Sequence, residues 1–155
     1  MYEFVIGERI IMQRRYNQFN TKRKLKKIET GDLQRYSALA GHVSYGGNPE
    51  HKKNPGDFRL TPPSGPRPGK SLCDTVGIFS RNDALKYLQS GLRSGLVSER
   101  FNGQWPQNIW CVTEHGYPLE AQLENSMTGT YHGYPMPTSD PLANEILRQW
   151  KIKND

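Results

Sequence analysis

His51, Lys52 and Lys53 stand in a row on a stretch dense in turn residues, with Asp57, Phe58 and Arg59 close behind. An imidazole exchanges protons near neutral pH, and fixed cations beside it neutralise the charge that grows on a phosphate under transfer. That combination suits phosphate chemistry. The plainer reading is a solvated loop that happens to carry charge. A second group is Tyr131-His132-Gly133-Tyr134. Residues two apart on a strand share a face, so His132 and Tyr134 stand side by side, able to exchange protons or to stack on a nucleobase. The alternative is aromatic packing under the C-terminal segment, with His132 satisfied by a backbone carbonyl. A third group is the polar stripe Glu120, Gln122 and Glu124. If the neighbouring strands form one sheet, the stripe is an open face beside the strand of His132. A carboxylate next to an imidazole is a workable acid–base pair, and an ordinary solvent face is the plainer account.

The remaining chemistry-bearing residues point to fewer options. His42 follows a helix stop and can turn toward the same site, whereas His115 falls in a hairpin turn and is expected to be solvated. His42 and His51, nine apart in a glycine-rich loop, are a weak metal signal, and no metal or cofactor is expected. Cys73 and Cys111 are far apart and belong to no Cys-x-x-Cys pair, so reduced thiols in a cytoplasm are expected. There is no nucleophile elbow, no Cys-His pairing and no dinucleotide fingerprint. Pro68-Gly69-Lys70-Ser71 echoes the end of a phosphate-binding loop but lacks its first glycine and a preceding strand. Trp105, Trp110 and Trp150 read as core or ledge residues.

Charge is distributed unevenly. The whole chain carries +6 over 155 residues. Within residues 9–35, the nine cations Arg9, Arg14, Arg15, Lys22, Arg23, Lys24, Lys26, Lys27 and Arg35 face only Glu29 and Asp32, a local excess of +7. Such a field draws in a polyanion by steering and counterion release. RNA is the expected partner, and a solvated basic surface is the simpler alternative. No apolar run approaches the roughly 18 residues of a bilayer span, and the N-terminus lacks a signal-peptide pattern, so a cytoplasmic protein without membrane contact is expected.

The elements that must position these groups follow from periodicity. Residues 1–31 read as a basic arm, or a strand plus helix, ahead of a single domain over 32–155. Leu33, Tyr36, Leu39 and Ala40 recur at helical spacing, with Asp32 as N-cap and Gly41 as stop. Residues 41–72 form a long Pro/Gly-rich loop without amphipathic period. Ser80, with Asp83 three positions on, opens a second helix carrying the stripe Ala84, Leu85, Leu88 and Leu92, and Gly95 closes it. Strands are expected over Leu96–Phe101, Ile109–Thr113, Leu119–Glu124 and Thr130–Tyr134, with turns at Asn102-Gly103 and His115-Gly116. Asp140 and Pro141 start a last helix with Leu142, Ile146 and Trp150 on one face. The expected fold is α+β: a four-stranded antiparallel β-meander packed by N-terminal and C-terminal helices.

Taken together, His42, His51-Lys52 and Asp57-Phe58, then a helix, then Ile109-Trp110-Cys111-Val112, Gly116 and Leu119-Glu120-Ala121, resemble bacterial ribonuclease toxins of the barnase, EndoU, colicin and RelE-like superfamily. The resemblance spans roughly residues 40–135. The chain departs from it in the Pro-rich 59–72 stretch and in the order His-Lys rather than Lys-His. The resemblance implies metal-free RNA cleavage by 2′-hydroxyl attack, held in check by a cognate antitoxin or inhibitor protein. It implies His51 and His132 as the acid–base pair and Glu120 as a second base or orienter. Tyr134 would stack on a base or donate a proton. Lys52, Lys53 and Arg59 would clamp phosphate, while Arg14, Arg15, Lys22, Arg23, Lys24, Lys26 and Lys27 would hold the RNA backbone without reading sequence. The rival readings are a non-enzymatic basic module that binds nucleic acid or an acidic partner, and a nucleotide-dependent transferase, which lacks a phosphate loop.

Overall fold

The computed structural model describes residues 23–46 and 80–154. The basic segment before Arg23 and residues 47–72 of the expected loop lie outside them. The first helix, α1, runs over Asp32–Ala40 and ends at Gly41. Asp32 does not cap it. Gly31 takes that position in the left-handed conformation, with φ 87°, which carries Asp32 into the first turn. The Asp32 carboxylate folds back to accept the Glu29 backbone N–H at 2.9 Å and to pair with Lys26 at 3.1 Å and Arg35 at 3.0 Å.

The second helix, α2, runs over Arg81–Ser94, and its start matches the expectation: Ser80 Oγ accepts the backbone N–H of Asp83 at 3.0 Å. It buries Ala84, Leu88, Gly91 and Leu92 and ends at Gly95, which adopts the left-handed conformation. Gly91 sits where the helix backbone lies against the sheet. A Cβ there would be 2.8 Å from Ile109 Cγ2 and closer still to the Trp110 carbonyl oxygen.

The main sheet is mixed rather than purely antiparallel. Its strands are β1 (Ser44–Tyr45), β4 (Asn108–Val112), β5 (Pro118–Asn125) and β6 (Thr130–Pro135), in the order β1-β6-β5-β4. β4, β5 and β6 form the expected antiparallel meander, while β1 pairs with β6 in parallel. The strand expected over Leu96–Phe101 does not form as one strand: Val97 bridges to Ile109 and Ser98 to Leu25, and Phe101 belongs to a separate hairpin. Ser98 is the reason: its hydroxyl, not a backbone carbonyl, accepts the Asn108 N–H at 2.9 Å and breaks the ladder. The Asn102-Gly103 signal does mark a hairpin, between β2 (Phe101–Asn102) and β3 (Trp105–Pro106). β1 is too short to show a period, but Tyr45 extends its effect. Where the parallel pairing ends at Gly46, the Tyr45 hydroxyl accepts the Gly133 N–H at 2.9 Å and donates to the Gly133 carbonyl at 3.2 Å.

Helices cover both faces of the sheet. On one face, Ile109, Cys111, Leu119, Ala121 and Tyr131 join a core with Tyr36 and Leu39 of α1 and Leu88 and Leu92 of α2. Trp105 is buried in the same core, and Trp150 packs against its edge. On the other, Trp110, Val112 and Met136 meet Ala143 and Ile146 of α3 (Pro141–Asn154). The carboxylate of Asp140 accepts the Leu142 N–H at 3.0 Å, so Asp140 and Pro141 start this helix as the sequence suggests. Each large apolar side chain sealed in these layers contributes about 1.5–3 kcal/mol. Residues 23–31 belong to the same structure: Leu25 packs beside Trp110, Ile28 packs on the α1/α2 core, and Lys24 and Lys26 bond to the backbone of Glu99 and Val97.

Candidate functional site

Strand alternation sorts the polar residues of the sheet onto the face that also carries α3. Two cross-strand rows lie there. One is Trp110, Glu120 and Tyr134, and the next is Asn108, Gln122 and His132. The helix covers the end of this face near Trp110 and Val112. Toward the other end, Gln122, His132 and Tyr134 are half-buried and Glu124 is exposed.

Glu120 departs from the open face that its alternation suggests. It is 1% exposed. Arg23 holds it in two directions, through Nε to Oε2 at 3.0 Å and through Nη2 to Oε1 at 2.5 Å, and Asn108 donates to Oε2 at 2.8 Å. The same Nη2 donates to Asp140 Oδ2 at 2.5 Å. A single guanidinium thus bridges two buried carboxylates, one on β5 and one at the start of α3. Burial works against the charge on Arg23, but the hydrogen bonds and attraction of Glu120 and then Asp140 outweigh it and push the pKa up. Arg23 is consequently turned into the protein, and Glu120 is surrounded by partners that use its lone pairs.

At the half-buried end of the face the polar side chains contact one another. Gln122 Nε2 donates to the Tyr134 hydroxyl at 3.1 Å. His132 Nδ1 lies 3.4 Å from Glu124 Oε1. These groups sit within one residue pair of each other on β5 and β6. They can exchange protons, accept hydrogen bonds from hydroxyls and offer an aromatic surface to a base. The opposite side of the sheet carries a small apolar pocket of about 30 Å³ lined by Tyr45, Ala84, Tyr87, Leu88, Cys111 and Ala121. Burial pushes the Cys111 thiol up, away from its reactive thiolate form.

The other candidates are placed as follows. His51, Lys52, Lys53, Arg59, Arg14, Arg15 and Lys22 lie outside the described residues. Lys24 pairs with Glu99 at 3.7 Å and Lys26 with Asp32 at 3.1 Å, while Lys27 is exposed. Hydrogen bonding to Asp32 is the main cause that raises the pKa of Lys26. The basic segment therefore spends three of its described cations, Arg23, Lys24 and Lys26, on carboxylates of the chain itself. His42 is exposed in the turn after α1, and His115 is 70% exposed beside Glu114. Among the described residues, no three His, Cys, Asp or Glu side chains cluster to hold a metal ion, and no helix is long and apolar enough to cross a membrane.

Two participants were not anticipated: Asn108 fell outside the expected strand, and Asp140 was read only as a helix cap. The stripe beside the strand of His132 was anticipated, and it is Glu124 of that stripe that reaches the imidazole. No family model matches the chain, and no curated protein or solved structure matches it either.

Proposed function

We propose that the protein is an endoribonuclease that needs no metal, acting as a bacterial toxin under the control of an inhibitor protein. The observation that carries this reading is that His132 and Tyr134 share one half-buried polar sheet face, with Gln122 bonded to the tyrosine hydroxyl. In the proposed reaction a base removes the proton of a ribose 2′-hydroxyl. The freed oxygen attacks the adjacent phosphorus, and the bond from phosphorus to the 5′-oxygen breaks. An acid protonates the departing oxygen, leaving a 2′,3′-cyclic phosphate and a 5′-hydroxyl. His132 serves as one proton-transfer group, and His51 is assigned the opposite role on sequence grounds. Tyr134 presents its ring to a base or its hydroxyl to the phosphate. Lys52, Lys53 and Arg59 are assigned to the phosphate charge, and the excess of +6 on the chain supports an anionic substrate. Glu120 drops out as a general base, because Arg23 and Asn108 occupy its oxygens.

Controlled expression in bacteria tests the reading. The wild-type chain should arrest growth and fragment total RNA, and His132→Ala should lower cleavage by about 10²–10⁴-fold, the usual contribution of a positioned acid or base. RNA that is bound but left intact by the wild-type chain would replace the enzyme with a basic binding module.

A further inference from the structure

We infer that Glu124 is a positioning residue for His132, one that fixes which ring nitrogen carries the proton. The inference rests on the nuclease reading for its functional meaning, but its geometry stands separately. Three observations converge on one contact. First, the register between β5 and β6 shifts between Leu123 and Asn125: Leu123 pairs with Tyr131 and Asn125 with Thr130, which leaves Glu124 as the extra residue of a bulge. A bulge re-aims one side chain without disturbing the strand on either side of it, and bulges concentrate beside active sites. Second, Gly46 stands where β1 ends. A Cβ there would lie 3.2 Å from Glu124 Oε2 and 3.1 Å from Thr130 Cγ2, so any larger residue would crowd the carboxylate. Third, His132 faces this gap with Nδ1, at 3.4 Å from Glu124 Oε1.

A carboxylate at Nδ1 favours the neutral ring that keeps its proton there, which makes Nε2 the proton acceptor. When the ring becomes cationic in the reaction, the same carboxylate stabilises the charge. The contact is longer than the roughly 2.8 Å of a formed charge-assisted bond. Such looseness is common in acid–base sites before substrate binds. The Glu124 side chain is 46% exposed and that of His132 is 23% exposed, so the pair stands at the open end of the polar face. Glu124, not the buried Glu120, is thus the carboxylate of the stripe that serves the imidazole.

The test is the ¹⁵N spectrum of the His132 ring at a pH where it is neutral, in the full chain. The wild type should show mainly the Nδ1–H form. Glu124→Ala should shift the population to the Nε2–H form with the circular dichroism of the fold unchanged, while Glu124→Gln, whose amide oxygen still accepts a hydrogen bond, should retain Nδ1–H. In RNA cleavage, Glu124→Ala should lower kcat on the order of 10²-fold with KM near wild type. An Nε2–H majority in the wild type, or a tautomer that ignores Glu124→Ala, would overturn the inference. If the wild type shows the Nδ1–H form that Glu124→Ala abolishes yet never cleaves RNA, the nuclease reading fails and the pairing survives. An active wild type whose tautomer is indifferent to Glu124 sinks the pairing alone.

Discussion

Replacing Arg23 with methionine should destabilise the protein strongly, because one guanidinium holds two carboxylates that water does not reach. The Arg23 side chain is 13% exposed, and those of Glu120 and Asp140 are both fully buried. Methionine keeps much of the aliphatic stem and removes all the donors. Two buried charges would then lose their shared counter-ion, and breaking a buried pair in this way typically costs about 3–5 kcal/mol. For a chain of this size that is a drop in Tm of roughly 6–20 °C. The wild-type contribution has a definite pH dependence. The Arg23 pKa is raised above an already high ordinary value, so its stabilisation is fully present below that ordinary value. On the alkaline side it is lost as pH rises through the folded-state value, beyond the range of normal experiments. The assay is urea unfolding followed by far-UV circular dichroism. Adding Glu120→Gln and Asp140→Asn to Arg23→Met should recover most of the loss, since neutral partners end the charge imbalance and asparagine still caps α3. An Arg23→Met protein within about 1 kcal/mol of wild type would refute the reasoning, because only an exposed ion pair is that weak.

Asp32→Asn should lower the urea midpoint at neutral pH, and the gap from wild type should close as the solution is acidified. The Glu29 N–H and then Lys26 hold the Asp32 carboxyl below the usual range, so its stabilisation is complete above that range and disappears as pH falls through the folded-state value. Gly91→Ala should destabilise the fold although alanine is the better helix former, since its methyl meets Ile109 and the Trp110 carbonyl. Thermal unfolding should show a loss of about 1–3 kcal/mol, typical of overpacking, against a gain near 1 from propensity. Tyr45→Phe should remove the hydroxyl that bonds both backbone groups of Gly133 and cost about 1–3 kcal/mol in denaturant unfolding, with faster amide exchange at Gly133.

Periodicity made the helices and the meander readable. Ser80 and Asp140 announced two helix starts because a capping side chain acts on backbone within three residues of it. Leu119, Ala121 and Leu123 announced β5 because a strand buries alternate positions. The polar half of that alternation was also correct as to face, but face does not determine exposure. Glu120 and Glu124 look alike in sequence, and they differ because Arg23, 97 positions away from Glu120, covers one of them. Long-range partners of this kind leave no local trace. β1 escaped for a related reason: two residues inside a glycine-rich run show no period, and its place in the sheet comes from Ser44 and Tyr45 meeting Thr130 and Tyr131. Charge counts likewise cannot tell a solvated lysine from a paired one, as Lys24 with Glu99 and Lys26 with Asp32 show.

The proposed nuclease function requires RNA to be cut by its own 2′-hydroxyl with His132 moving a proton. A purified chain incubated without metal, with a synthetic RNA and with the same RNA carrying one 2′-deoxynucleotide at the cleavage position, tests this directly. Cleavage of the first to a 2′,3′-cyclic phosphate end, none at the deoxy position, and a large loss with His132→Ala are the predicted results. An intact RNA, or a deoxy substrate cut as fast as the ribose form, would contradict the account.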